Sequence, residues 1–361
     1  LTAQPNLNVV AFTGSTGTAL RIRTSLAENA PATPLIAETG GLNAMIVDST
    51  ALPEQAVAAI VESSFQSAGQ RCSALRCLYI QEDIAPAFIK MLKGAMDALD
   101  IGQPWDIATD VGPVIDEQAR AKIAAHIAAH SADILHQLPT PETGTFIAPT
   151  LIKVDGIADM KEEIFGPVLH LATYKSQELD AVIDAINATG YGLTFGLHTR
   201  IDDRVQHVSD RITAGNVYIN RNQIGAIVGS QPFGGTGLSG TGPKAGGPDY
   251  LLRFRAPKPA GAAGEWGTTQ SELPKITTTA QLIKETTLPG PTGESNRLSC
   301  MSRAPILCMG PGPDAAAAQA KAVTALGGQA SAATGAIAPS LLTDGPAYGG
   351  IMWWGDTATA Q

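Results

Sequence analysis

Apolar positions along this chain alternate between two periods. Asn8 to Thr13 is a short, valine-rich run that reads as a buried strand. Gly14-Ser15-Thr16-Gly17 breaks it as a turn. Ala19, Ile22 and Leu26 then recur at i, i+3 and i+7 while Arg21 and Arg23 lie off that stripe, which predicts a helix over 19–29. Pro34 to Glu38 is a second apolar run. Strand, turn, helix, strand is the order of a βαβ unit and implies a parallel sheet. Pro53 to Ser67 places Val57, Ile60, Val61 and Phe65 on one helical face and leads into Ala68-Gly69-Gln70-Arg71-Cys72, so Cys72 falls just past a helix end. Leu75 to Ile80 reads as a strand. Helices are expected over about 84–98, 116–130 and 177–188, and strands over about 146–154, 168–174 and 217–220.

The pattern changes after Phe254. Residues 256–268 are rich in Pro, Gly and Ala and read as a linker or extended flap. Beyond Arg297 an α/β pattern resumes: Pro305 to Met309 as a strand, Gly310-Pro311-Gly312-Pro313 as a turn, and Asp314 to Leu326 as an Ala-rich helix with Asp314 as its N-cap. Two prolines in that turn remove N–H donors that a phosphate would use, so it reads as structural. Residues 338–361 show no clear period, and there is no internal repeat.

Composition narrows the class. The chain has 361 residues, enough for two or three domains, and 44% of them are hydrophobic, enough for a substantial core. With 24 basic and 33 acidic residues the net charge is −9, which gives no electrostatic reason to hold nucleic acid or an anionic membrane. No apolar run approaches the roughly 20 residues that span a bilayer. The start lacks a signal peptide and an initiating Met, so the chain reads as a piece of a longer protein. The four cysteines, Cys72, Cys77, Cys300 and Cys308, form no CxxC pair and are too few for a disulfide scaffold; a reducing cytoplasm fits.

Three local features carry candidate chemistry. Cys72 follows Arg71 and is flanked by small residues, a setting that suits a nucleophilic thiol, although a lone cysteine is more often a buried structural one. Cys77, inside a strand, reads as core. Glu38 ends an apolar strand before Thr39-Gly40-Gly41, where glycines admit a ligand to a carboxylate acting as general base; a solvated or capping Glu is the plainer alternative. Gly14 and Ser15 open a helix, whose N-terminus suits a phosphate, though an ordinary βα turn looks the same. His126 and His130 stand at i, i+4 but lack a third ligand and read as a helix face rather than a metal site.

Together these features are more specific. Phe12-Thr13-Gly14-Ser15, Glu38-Thr39-Gly40-Gly41 and Gly69-Gln70-Arg71-Cys72 stand in an order and spacing that resembles the aldehyde dehydrogenase superfamily. So do Glu162-Glu163-Ile164-Phe165-Gly166-Pro167, Tyr191-Gly192-Leu193-Thr194, Gly215-Asn216-Val217-Tyr218-Ile219-Asn220 and Pro232-Phe233-Gly234-Gly235. A closer resemblance is to the proline utilization A (PutA) family, carried by Ser73 after the cysteine, the loop Gly225 to Phe233, and Leu288-Pro289-Gly290-Pro291-Thr292-Gly293-Glu294-Ser295-Asn296.

The resemblance implies an α/β aldehyde dehydrogenase-like fold with a C-terminal Rossmann-like domain. It divides the chain into a remnant of the NAD-binding domain (1–40), a catalytic domain (41–238), a return segment and oligomerisation flap (239–285) and an incomplete C-terminal domain (286–361). The implied reaction is NAD+-dependent oxidation of L-glutamate γ-semialdehyde to L-glutamate. Cys72 is the implied nucleophile and Glu38 the activator of water. Gly14, Ser15, Glu163 and Phe165 are the implied cofactor contacts; Arg71, Ser73, Gly225, Ala226 and Phe233 are the implied substrate contacts; no metal is implied. The family further implies a homo-oligomer and an upstream proline dehydrogenase domain in the same parent chain, where FAD belongs. An oxyanion-binding Asn would also lie upstream of Leu1. Another semialdehyde dehydrogenase, a thiol-acyl hydrolase without NAD+, or a noncatalytic fragment are the competing readings.

Overall fold

Strand β1 (Val10–Thr13), helix α1 (Thr16–Asn29) and strand β2 (Leu35–Glu38) form the expected βαβ unit, with β1 and β2 parallel and Thr13 level with Glu38. The helix buries Ala19 and Leu26 of its apolar stripe, and Ser15 caps it by accepting the Thr18 N–H. The structure, a computed structural model, describes residues 1–361 apart from 1, 3, 5, 6, 32, 255–260, 275, 277–279, 344, 346, 347 and 357–361. Part of the expected linker at 256–268 thus lies outside the described residues.

The next elements are β3 (Ala44–Val47), α2 (Pro53–Phe65), β4 (Cys77–Gln81), α3 (Ala85–Asp97), α4 (Glu117–Ala129), β5 (Ile134–Gln137), β6 (Thr150–Lys153) and β7 (Val168–Tyr174). After them come α5 (Leu179–Ala188), β8 (Tyr191–Gly192), β9 (Thr194–His198), α6 (Asp202–Arg211), β10 (Asn216–Ile219) and β11 (Thr236–Gly237). Seven strands make one sheet in the order β10-β9-β3-β4-β7-β6-β5, parallel except for β5. Alternate residues of its central strands feed opposite cores. Met45, Val47, Leu78 and Ile80 pack with α2, α3 and α4, whereas Ala44, Ile46, Cys77 and Tyr79 pack with α5 and α6. A sheet covered on both faces is what continuous apolar strands require.

The chain divides into two compact units, residues 1–228 with 232–253, and residues 229–231 with 254–361. The second contains β12 (Thr269–Gln270), a hairpin of β13 (Leu282–Leu288) and β14 (Asn296–Met301), then β15 (Ile306–Cys308), α7 (Gly312–Ala325), β16 (Ala330–Ala332), β17 (Ala336–Ile337), α8 (Pro339–Thr343) and β18 (Gly350–Met352). β15 lies between β16 and β18, parallel to both. The sequence placed the N-cap of α7 at Asp314; the structure places it at Pro311, with Asp314 inside the first turn. Pro313 starts that helix readily, because its missing N–H is among those a helix leaves unpaired. Gln319, fully buried, clamps both the N–H and the carbonyl of Gly310 (3.0 and 2.7 Å), and a Cβ on Gly264 would meet the Pro311 carbonyl at 2.6 Å. The chain itself packs on this turn, which supports its structural reading. Among the described residues no helix is long and apolar enough to cross a membrane.

Candidate active site

The seven-stranded sheet gathers its chemistry at the amino ends of its strands. Asn43 precedes β3, residues 69–76 precede β4, residues 163–166 precede β7, and Thr194 starts β9. Glu38 comes from the other direction, at the carboxyl end of β2. The β1-β2 pair and the seven-stranded sheet thus bring Glu38 and Cys72 together, close enough for the Glu38 charge to oppose ionisation of the thiol.

The nucleophile loop is held in an uncommon backbone shape. After α2, Ser67, Ala68 and Gly69 all adopt left-handed φ values of 56°, 53° and 64°. For Ser and Ala this conformation is strained and persists only where the surroundings enforce it. The enforcers are two buried polar side chains. Arg76, fully buried, donates to the carbonyls of Gly69 (2.8 Å), Arg71 (3.0 Å) and Gly166 (3.3 Å) and to Glu163 Oε1 (3.0 Å). Its guanidinium also lies 5.3 Å from the Phe165 ring centre. Asn43, 2% exposed, donates to the carbonyls of Cys72 (2.7 Å) and Ala74 (2.9 Å) and accepts from the Thr194 N–H (3.1 Å). Replacing Asn43 by Ala leaves all three groups buried and unpaired, so Asn43→Ala should destabilise the fold by about 2–4 kcal/mol. Urea unfolding measures this; an unchanged midpoint would show that the bonds contribute nothing net.

Cys72 is half-buried, with its own and the Ser73 N–H directed at the sulfur. Burial, and secondarily the Glu163 carboxylate, nevertheless push the thiol above its ordinary pKa. Arg71 is exposed, with Nε donating to Ser67 Oγ (3.2 Å). Ser73 is buried, and its carbonyl accepts from Thr194 Oγ1 (3.1 Å).

Glu38 is partly buried. Oε2 accepts from the Gly235 N–H at 3.1 Å, while Oε1 is buried without a partner. Desolvation raises its pKa to about 7, against the opposing pulls of the Gly235 N–H and Lys244. Glycines shape its surroundings: a Cβ on Gly240 would stand 2.9 Å from both carboxylate oxygens, and one on Gly234 3.2 Å from Oε1. Gly40 and Gly41 have equally local reasons. A side chain on Gly40 would overlap the Glu163 carboxylate, and one on Gly41 would come 2.6 Å from Asn43 Oδ1.

The remaining predicted residues lie around this centre. Gly14 packs under the Phe12 ring and donates its N–H to the Glu38 carbonyl (3.1 Å). The turn carrying Gly14, Ser15 and Gly17 is exposed, and a Cβ on Gly17 would meet nothing within 4 Å, so the amino end of α1 is open to an anion. Phe165 is 44% exposed. Glu163 is largely buried between Arg76 and the Gly41 N–H, and burial raises its pKa. Gly225 (φ 136°) accepts at its carbonyl from Tyr218 Oη (2.9 Å), which leaves Ala226 exposed on the loop. Phe233 is half-buried and pairs its backbone with Ala245 in both directions (3.0 and 2.8 Å). His126 and His130 are joined by His170, whose Nε2 lies 2.9 Å from that of His126. Among the described residues no group of three side chains is arranged to hold a metal. Sequence reasoning missed Asn43, Arg76, His170 and Lys244; only Asn43 and Arg76 carried a signal, as polar residues at the edges of apolar strands.

These features place a half-buried cysteine and a partly buried carboxylate near an open helix terminus, and the chain belongs to the aldehyde dehydrogenase family, whose pattern it matches over residues 1–259. More particularly, the bifunctional protein PutA of Klebsiella aerogenes is 43% identical over 373 residues, covering 91% of this chain and 28% of that protein. A crystal structure of a bifunctional proline utilization A (PutA) protein superposes with a TM-score of 0.69 at 54% identity, covering 70% of this chain and 26% of the other. A 1-pyrroline-5-carboxylate dehydrogenase from Thermus with bound NAD gives 0.66 at 32% identity, covering 70% of this chain and 50% of the other. The chain thus spans little more than a quarter of the PutA relatives.

Proposed function

We propose that this chain carries the part of a PutA-like protein that oxidises L-glutamate γ-semialdehyde to L-glutamate with NAD+. The observation that carries this reading is Cys72 sharing a site with a carboxylate whose pKa is raised to about 7. In the proposed sequence the Cys72 thiol adds across the aldehyde group, sulfur to carbon and the thiol proton to oxygen, giving a thiohemiacetal whose oxygen is met by the Cys72 N–H; the hydroxyl proton passes to solvent as the hydride departs. The chemistry a bound nicotinamide dinucleotide supplies is acceptance of a hydride from that carbon. The Cys72 thioester is then hydrolysed: Glu38 takes a proton from water, the C–S bond breaks, and the thiol is restored.

The residues present fit such a cofactor. The exposed amino end of α1 at Gly14 and Ser15 suits its pyrophosphate, Glu163 a ribose hydroxyl, and Phe165 the nicotinamide side. Arg71, Ser73 and the Gly225–Ala226 backbone are assigned to the substrate carboxylate, and Phe233 to its aliphatic chain. The four-part division at 1–40, 41–238, 239–285 and 286–361 belongs to this reading. So do a cytoplasmic homo-oligomer and a parent chain with an FAD-holding proline dehydrogenase domain.

The test is formation of reduced nicotinamide from glutamate semialdehyde and NAD+. The expected preference over glutarate semialdehyde, which keeps the carbon chain and carboxylate but lacks the α-ammonium group, is about tenfold or more, since losing one such polar contact costs about 1.4 kcal/mol or more. Equal rates would leave a less selective semialdehyde dehydrogenase. No product from any aldehyde, with ester turnover retained, would replace this reading with the hydrolase.

A further inference from the structure

Glu38 receives its N–H from a turn that has no obvious stiffness. Gly234 and Gly235 are adjacent glycines, so their backbone is intrinsically the most mobile available. The structure fixes them from below. Lys244, largely buried, donates from Nζ to the carbonyl of Gly215, to Asn216 Oδ1 (2.7 Å) and to the carbonyl of Gly234 (3.1 Å). Asn216 completes the brace, accepting from the Gly234 N–H (3.3 Å) and donating to the Pro232 carbonyl (3.0 Å). On the other side of the same turn, the Gly235 N–H meets Glu38 Oε2. The space a Cβ on Gly234 would fill is 3.2 Å from both Glu38 Oε1 and Lys244 Cα, so the two residues are separated by the width of a glycine.

We propose that Lys244 is a positioning residue for the general base, pinning the turn that binds Glu38 and placing a buried positive charge beside its carboxylate. An ammonium has three protons, and here three oxygens accept them. While those bonds hold, Lys244 has no proton left for Glu38 and no lone pair to take one from it. Its action is therefore through charge and geometry rather than proton transfer. Removing the charge should raise the Glu38 pKa and delay the appearance of the base to higher pH. Cys72, the titratable group that faces Glu38 across the site, acts when ionised in the opposite sense to Lys244. Desolvation brings Lys244 down to about 8 as it brings Glu38 up to about 7, so each group's charge supports the other's against burial.

The inference rests on Glu38 as the base, but its test does not need turnover. In the full chain labelled with 13C at glutamate carboxyls, the Glu38 resonance is the one lost in Glu38→Gln, and its titration midpoint is followed by NMR. Lys244→Met should raise that midpoint by about one pH unit, the effect of removing a nearby opposite charge. Lys244→Gln, which keeps hydrogen bonding without charge, should raise it in the same direction and serves if the Met variant does not fold. Lys244→Arg should restore most of the wild-type midpoint. An unmoved midpoint in the neutral variants, or an equal rise in Lys244→Arg, overturns the proposal. The two readings fail separately: wild type that makes no reduced nicotinamide refutes the function but leaves the midpoint shift to be observed, and an active wild type with an unmoved midpoint refutes only the role of Lys244.

Discussion

Cys72→Ala should abolish aldehyde oxidation, lowering the rate by on the order of 10³ or more, while leaving the chain folded. The loss is large because no other cysteine can substitute. Cys77 and Cys308 are buried in strands, and Cys300 lies in the β13–β14 hairpin. Folding should survive because the loop from Gly69 to Ala74 is held through its backbone carbonyls by Arg76 and Asn43, not through the sulfur. Reduced-nicotinamide formation read beside circular dichroism separates the two effects. Retained oxidation in a folded Cys72→Ala protein would remove the nucleophile from the mechanism altogether.

Glu38→Gln should separate the two halves of the reaction. The thiol still attacks and hydride still leaves, so one equivalent of reduced nicotinamide should form per site. Turnover should then stall by a factor of roughly 10² to 10⁴ for want of a base to activate water. The wild-type rate should rise with pH through about 7, because the working form of Glu38 is deprotonated and its pKa lies there. That limb should vanish in Glu38→Gln. Stability moves the other way. The folded pKa exceeds the unfolded one near 4.5, so between about pH 4.5 and 7 the native state holds a proton the unfolded chain has lost, and stability declines as pH rises through that window. Glu38→Gln should lose this part of the slope and gain stability relative to wild type at pH 8. A steady rate without a burst, or an unaltered pH profile, would show that another group activates water.

How far the sequence revealed this site depended on the kind of residue. Cys72, Glu38 and the Gly14 turn stand out because nucleophile, carboxylate and glycines recur at recognisable distances along the chain. Asn43, Arg76 and Lys244 do not, because they work on backbone carbonyls supplied by other segments, and nothing local announces which carbonyl a side chain will meet. The surroundings of the Cys72 sulfur were hidden for a related reason: Arg71 is adjacent in sequence but exposed, whereas burial, and after it Glu163, 91 positions away (163 − 72), push the thiol up. Long periodic helices such as α3 and α4 were read to within a residue or two. Strand β3, four residues between polar neighbours, and β9, lost in a run with Gly196, were too short to show a period. The N-cap of α7 falls at Pro311 rather than Asp314 because Gly312 and Pro313, which read as part of a turn, already belong to the helix, whose first turn accepts proline.

The amino edge of a parallel sheet is where the connecting helices finish, so their carbonyl ends face the cysteine loop, as α2 does just before Ser67. Such an edge disfavours negative charge, in keeping with the raised pKa of Cys72. Both effects favour the protonated thiol at Cys72, and peroxide and other oxidants react with thiolates far more readily than with thiols. The placement that holds back ionisation of Cys72 thus also shields its sulfur from oxidation.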